Sequence, residues 1–202
     1  MAVRAGARAA QPPSEPNLRV YLPEVTAGQR LPVVVQLHGD GFYIFHLSWL
    51  MYHHFYTRLA CVLPAVVVTV DSGGNLFHFI GTCVGEDRED SWAPLHVAGG
   101  IPLHPGLVCA TRSKSELEPR PDSVFFILDM LDKFLAMAIP EQPTKDHPYM
   151  CPMGPNATPL ESVPLPLLLV AIAEHDLIRD TNLEYCDALR SAGKDVEVLF
   201  KF

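Results

Sequence analysis

Three groups of residues in this sequence have the types and spacing needed for nucleophilic chemistry, and each follows an apolar run. The turn Gly39-Asp40-Gly41 can direct backbone N–H groups at an anion, because glycine leaves no Cβ in the way. Ser72 and Gly73 lie in a tight turn, a setting in which a serine serves as a nucleophile. Asp176 supplies a carboxylate that can orient a histidine. Together these residues point to acyl-transfer chemistry.

Each group also has a purely structural interpretation. Glycine-rich turns follow strands in many folds, and a Ser-Gly-Gly turn such as the one at Ser72 can cap a helix. Asp176 can cap a helix or pair with Arg179. The order in the chain, an oxyanion turn, then a serine, then an aspartate, is that of a hydrolase triad and favours the catalytic interpretation.

The elements that must position these residues alternate between apolar strands and helices. Continuous apolar, largely β-branched runs predict strands buried on both faces, and therefore a parallel sheet. We expect an edge strand at Asn17–Leu22 and sheet strands at Leu31–Leu37, Ala65–Val70, Val97–Pro102, Leu167–Ala173 and Val196–Phe202. Because the carboxyl ends of parallel strands meet at one edge, Gly39, Ser72 and Asp176 should lie together there.

Helical spacing predicts four helices between these strands. The first covers residues 49–62, with Ser48 as its cap and Met51, Phe55, Leu59 and Val62 on one side. The others are Leu76 to Val84, Val124 to Ala138, and a helix that begins with a Thr181–Glu184 capping box and ends at Gly193.

This alternation predicts a three-layer α/β sandwich with a mostly parallel sheet. Residues 17–202 should form one domain after a loose segment over residues 1–16. Residues 105–166, which include the proline-rich stretch 140–166, should form a loop or lid-like insertion.

Composition excludes several classes of partner. The chain has 15 Lys plus Arg against 23 Asp plus Glu, a net charge of −8, which is unsuited to nucleic-acid binding. No apolar run is long enough to span a membrane, and no secretory signal is evident.

Five cysteines without a C-x-x-C pair predict free thiols in a reducing, cytoplasmic or nuclear compartment. The histidine spacing predicts no metal site, and we expect no cofactor.

Several segments resemble plant carboxylesterases of the α/β-hydrolase group that is related to hormone-sensitive lipase and the gibberellin receptors. Leu31 to Arg58 (LPVVVQLHGDGFYIFHLSWLMYHHFYTR) resembles their oxyanion strand, loop and following helix, and Asp71 to His78 (DSGGNLFH) resembles their nucleophile elbow. Ala173 to Leu189 (AEHDLIRDTNLEYCDAL) matches their later half, as do Asp122 to Pro140 and Asp146 to Pro155.

The resemblance implies an α/β-hydrolase fold and hydrolysis of small carboxylic esters without a cofactor. It implies that Ser72 is the nucleophile and Asp176 the triad acid. The oxyanion-hole region it implies consists of Gly39, Asp40, Gly41 and Gly73.

The sequence departs from the family pattern at the oxyanion turn and the elbow. Asp40 stands where the family has the middle glycine of His-Gly-Gly-Gly, and this places a carboxylate where negative charge develops. The elbow is one residue shorter, with Val70 in place of its first glycine, and a family segment between Val70 and Asp71 is absent. Ser72 is therefore either the nucleophile or the residue after a lost nucleophile.

The third departure concerns the triad histidine, which in this fold follows the acid. No histidine follows Asp176 in these 202 residues. His175 is a poor substitute, because neighbours on a strand point to opposite faces. His96 and His104 flank a strand and could approach the elbow, although packing or loop hydrogen bonding is the simpler role for each.

Three hypotheses follow from the sequence. The chain is an impaired esterase with little or no turnover, a non-catalytic binder of a small ester or hormone-like ligand, or a truncated splice or gene-model product. The sequence leaves the substrate and the oligomeric state open.

Overall fold

The computed structural model describes residues 18–24, 28–37, 49–70, 96–118, 127–138 and 144–200. It divides into two compact units, Met1–Leu76 and Phe77–Phe202. The predicted loose segment over residues 1–16 and the predicted helix from Leu76 to Val84 lie outside the described residues.

The described residues of the first unit form a three-stranded sheet and one helix. Its elements are β1 (Leu18–Tyr21), β2 (Val33–Leu37), α1 (Leu50–Val62) and β3 (Val66–Val70). β3 is central: it pairs in parallel with β2 and antiparallel with β1. The predicted strand–helix–strand unit is confirmed, and both of its strands carry the β-branched valines that suit a pleated surface.

The side of α1 that packs against the sheet differs from the prediction. Tyr56 and Ala60 are buried against Tyr21 and Val67, whereas Met51 and Phe55 are exposed. The expectation that the Met51 side of the helix faces the core is therefore wrong. Ala60 has no bulk beyond Cβ and Tyr56 is large, and this pair one turn apart fills the space over β3.

The second unit contains a parallel sheet with β5 at its centre. Its elements are β4 (Gly99–Gly100), α2 (Lys114–Leu117), α3 (Leu128–Ala138), a 3₁₀ turn (Leu160–Ser162), β5 (Leu167–Ile172), α4 (Arg179–Ser191) and β6 (Val196–Phe200). β5 pairs in parallel with β4 and with β6. The core of this unit joins β5 and α4 through Leu168, Val170, Ile172, Tyr185, Cys186 and Leu189.

Three local predictions in this unit are wrong. The strand predicted at Val97–Pro102 is regular only at Gly99–Gly100, with one further bridge from Leu103 to Ala171, because Pro102 has no N–H to donate. Helix α2 lies in a stretch predicted to be loop. Helix α4 begins at Arg179, so Thr181 is buried inside its first turn rather than capping it.

The expectation of free thiols is wrong for one pair of cysteines. Cys109 and Cys151 form a disulfide across 42 residues, with their Cα atoms 5.0 Å apart. Cys61 and Cys186 are free. Within the part of the chain that the structure describes, no helix is long and apolar enough to cross a membrane, and no cluster of metal-ligating side chains occurs.

Candidate active site

Of the residues that the sequence nominates for catalysis, Asp176 is the one whose surroundings are described. Ser72, Gly73 and the oxyanion turn over residues 39–41 (Gly39, Asp40 and Gly41) lie outside the described ranges. Their assignments therefore remain predictions.

Asp176 lies just beyond the carboxyl end of β5, where the chain turns into α4. Its backbone N–H donates to the Ala173 carbonyl at 3.2 Å. Its Oδ1 atom accepts the Ile178 N–H at 3.2 Å. One carboxylate oxygen is thus held by the backbone, and the other, Oδ2, is available to a second partner. A triad acid needs this division, because it must be fixed while it still faces the imidazole.

The second partner is His104, on the neighbouring strand end. His104 Nδ1 lies 3.9 Å from Asp176 Oδ2 and accepts the Ala173 N–H at 3.1 Å. The His104 backbone N–H donates to the Ala171 carbonyl at 2.9 Å. The parallel pairing of β4 with β5 continues through the bridge from Leu103 to Ala171, which places His104 beside the carboxyl end of β5. The turn after β5, in which the Asp176 N–H donates to the Ala173 carbonyl, then brings the Asp176 carboxylate back toward the imidazole.

His104 has a backbone conformation that is uncommon for a residue with a side chain. Its φ is +46°, in the left-handed region where His, Asn and Asp occur more often than other non-glycine residues. Such conformations persist where the surrounding structure fixes them and are concentrated at functional sites. The bonds to Ala171 and Ala173 provide that fixation here.

The imidazole of His104 has two possible hydrogen-bonding states at this position. A neutral ring that accepts the Ala173 N–H at Nδ1 carries its proton on Nε2. A general base would need the other tautomer, with Nδ1–H directed at Asp176 and Nε2 free to accept a proton. The described arrangement is therefore that of a resting histidine rather than of a poised base.

A polar cluster that sequence analysis missed joins the start of α2 to α3. Arg112 Nη1 donates to Glu116 Oε1 at 2.6 Å, and Arg112 Nη2 donates to Asp132 Oδ1. Lys145 Nζ lies 3.1 Å from the same Asp132 oxygen. Although burial acts to raise the pKa of Asp132, the hydrogen bonds from Arg112 and Lys145 outweigh it and hold that pKa below its usual range. The sequence does contain a signal for the helix that carries part of this cluster: Ser113 and Glu116 stand three residues apart, which is the spacing of a capping box.

Comparison with known proteins matches residues 72–200 to the family described as alpha/beta hydrolase fold. Gibberellin receptor GID1C of Arabidopsis thaliana is 33% identical over 130 residues, which cover 64% of this chain and 36% of the receptor. Probable carboxylesterase 6 of the same plant is 24% identical over 229 residues, which cover 88% of this chain and 66% of that protein. The chain thus spans about a third to two thirds of the length of these relatives.

Solved structures show the same fold. Brefeldin A esterase, a bacterial homologue of human hormone-sensitive lipase, superposes with a TM-score of 0.72 at 18% identity, over 98% of this chain and 72% of that one. An esterase of Pyrobaculum calidifontis superposes with a TM-score of 0.72 at 22% identity, over 92% of this chain and 71% of that one. The sequence-based prediction of an α/β-hydrolase fold is confirmed.

Proposed function

This chain belongs to the alpha/beta hydrolase fold family, and from that premise we propose that it hydrolyses small carboxylic esters through a serine nucleophile, at low turnover. The observation that carries the proposal is the state of Asp176. Its Oδ1 is fixed by the Ile178 N–H while its Oδ2 faces the imidazole of His104. The similarity to a probable plant carboxylesterase supports the same reaction class.

The proposed reaction proceeds in two steps. The Ser72 hydroxyl attacks the ester carbonyl, a histidine paired with Asp176 takes the hydroxyl proton, and the alcohol leaves with that proton. Water then attacks the acyl-serine by the same route and releases the carboxylic acid. Backbone N–H groups at Gly39, Asp40, Gly41 and Gly73 would bind the oxyanion in both steps.

Two features of the chain lead us to expect slow turnover. Asp40 would place a carboxylate beside the position where the oxyanion is expected to develop, and like charges repel. His104, the histidine that the described ranges place beside Asp176, accepts a hydrogen bond at Nδ1 instead of donating one to the carboxylate. To act as a base, His104 must first release the Ala173 N–H and move its hydrogen from Nε2 to Nδ1.

The test is hydrolysis of a short-chain 4-nitrophenyl ester by the purified 202-residue chain beside Ser72→Ala and Asp176→Asn. We expect slow turnover that Ser72→Ala abolishes and Asp176→Asn lowers. Ser162→Ala is the matched control, because Ser162 is exposed and its Oγ donates only to the nearby Pro159 carbonyl at 2.8 Å. Equal rates in wild type and Ser72→Ala would contradict the proposal.

A second candidate function is small-molecule binding without turnover. It is favoured by the 33% identity to a gibberellin receptor, whose name states its ligand. In that case a gibberellin should raise the melting temperature of the chain, by an amount that grows with the logarithm of ligand concentration once that concentration exceeds Kd. A ligand-dependent rise in a protein without Ser72-dependent turnover would favour this function over the first.

A further inference from the structure

Ser115 is a fully buried serine whose hydroxyl and backbone N–H both bond to a segment far away in sequence. Its Oγ donates to the Leu177 carbonyl at 2.8 Å and accepts the Asp180 N–H at 3.1 Å. Its backbone N–H donates to Asp180 Oδ2 at 2.9 Å. Ser115 therefore hydrogen-bonds to both ends of the segment Leu177–Asp180, which directly follows Asp176.

The contact between Ser115 and Leu177 acts on the group that orients Asp176. The Leu177 carbonyl and the Ile178 N–H belong to the same peptide unit, which is planar and rigid. Ser115 Oγ holds the carbonyl side of that unit, and Asp176 Oδ1 accepts from its N–H side at 3.2 Å. Ser115 therefore helps to set the direction of the Ile178 N–H from the opposite edge of the same peptide unit.

Ser115 is itself held by its neighbours in sequence. The buried Glu116 carboxylate accepts the Ser113 N–H at 2.7 Å and pairs with Arg112 at 2.6 Å. These two bonds of Glu116 fix the start of α2, which carries Ser115, without using the Ser115 hydroxyl.

The segment after Asp176 is braced from a second side by Arg179. The Arg179 Nε donates to Asp180 Oδ1 at 2.7 Å, a bond that lowers the pKa of Asp180, and Arg179 Nη1 donates to the Glu174 carbonyl at 3.2 Å. The Arg179 backbone N–H also donates to the Asp176 carbonyl at 3.3 Å, which closes the turn around the peptide unit between Leu177 and Ile178. Ser115 adds a bond to the carbonyl of that unit itself.

We propose that Ser115 is a positioning residue for Asp176: its hydroxyl holds the 177–178 peptide plane so that the Asp176 carboxylate keeps Oδ1 on the backbone and Oδ2 toward the imidazole. This inference rests on the proposed hydrolase function for its catalytic consequence, but the geometry it describes does not require turnover. Without the hydroxyl the plane is held by the turn bond from Arg179 alone, and the donor that fixes the Asp176 rotamer becomes less firmly positioned.

The first measurement is hydrogen exchange by mass spectrometry on the intact chain, comparing wild type, Ser115→Ala and the control Ser162→Ala. We expect Ser115→Ala to speed exchange in the 174–182 peptide by about fivefold or more, the effect of losing roughly 1 kcal/mol of hydrogen bonding. Exchange in β6 and the last turns of α4 should stay as in wild type. Ser115→Cys, close in size but a weak donor, should give an intermediate rate.

The second measurement separates this inference from the proposed function. In a chain with Ser72-dependent turnover, Ser115→Ala should lower kcat about tenfold or more with little change in KM, while Ser162→Ala changes neither. Local loosening at 174–182 in a chain without turnover would support the positioning role and count against the esterase. Wild-type exchange at 174–182, or faster exchange spread evenly over the chain, would overturn the positioning role whatever the activity.

Discussion

The Nδ1 atom of His104 lies 3.9 Å from the Oδ2 atom of Asp176 and 3.1 Å from the backbone nitrogen of Ala173. One ring nitrogen therefore has two neighbours with opposite demands, because the Ala173 N–H needs an acceptor and the Asp176 carboxylate needs a donor. The tautomer with its hydrogen on Nε2 satisfies the first neighbour, and the tautomer with its hydrogen on Nδ1 satisfies the second. To pair with Asp176 as a base does, His104 must therefore adopt the Nδ1–H tautomer and release the Ala173 N–H.

Replacement of His104 by alanine should lower Ser72-dependent ester turnover by on the order of 10², the lower end of what a general base contributes. The measurement is kcat at a fixed pH near neutrality. His147→Ala is the matched control, because His147 also accepts a backbone N–H at Nδ1, from Tyr149 at 3.3 Å. Unchanged turnover in His104→Ala would show that the proton goes to another group.

Replacement of Asp40 by glycine should raise kcat by about tenfold or more, because it removes a negative charge and a Cβ beside the expected oxyanion. Asp40→Asn separates the two effects, since it removes the charge and keeps the Cβ. We expect Asp40→Asn to recover part of the gain. A loss of activity in both variants would mean that the Asp40 carboxylate assists the reaction instead of opposing it.

Replacement of Asn182 by leucine should stabilise the fold. Asn182 is fully buried on α4, and neither its side-chain oxygen nor its nitrogen has a hydrogen-bond partner. A buried polar group without a partner costs about 1–3 kcal/mol, and leucine has a similar volume. Calorimetry should show a melting temperature higher by a few degrees, roughly 2–4 °C per kcal/mol.

Glu184→Leu, at an exposed position of the same helix, controls for the change in helix propensity. A lower melting temperature for Asn182→Leu than for wild type would show that the buried amide has a partner, such as a bound water.

Reduction of the disulfide should lower the free energy of unfolding. The bridge between Cys109 and Cys151, whose sequence separation is 42, restricts the unfolded chain and contributes about 2–4 kcal/mol. Denaturant unfolding with and without reductant measures the difference, and the double variant Cys109→Ser/Cys151→Ser should match the reduced protein. Cys61→Ser is the control, because Cys61 is free. Identical unfolding curves with and without reductant would contradict the bridge.

Local sequence patterns predicted several of the strands in both compact units. The valine runs at β2 and β3 and the leucine run at β5 follow from β-branched and apolar content alone. The burial side of α1 was not predictable in the same way, because apolar residues lie on both of its sides. Packing against β3 selects Tyr56 and Ala60 over Met51 and Phe55.

The contacts that complete the candidate site depend on the fold rather than on neighbouring residues. Ser115 meets Leu177 across 62 residues, and His104 meets Asp176 because the β4–β5 pairing extends through Leu103 and the chain turns back after β5. The Cys109–Cys151 bridge likewise depends on how residues 109 and 151 approach in space. Spacing along the chain carries no signal for any of these pairs.

The most direct test of the central claim is the site of covalent labelling by a fluorophosphonate, located by peptide mass spectrometry. The account predicts one adduct, on Ser72, that forms slowly in wild type, more slowly in Asp176→Asn, and not at all in Ser72→Ala. Labelling at another residue, or at an equal rate in wild type and Asp176→Asn, would contradict the assignment of Ser72 and Asp176 to one catalytic group.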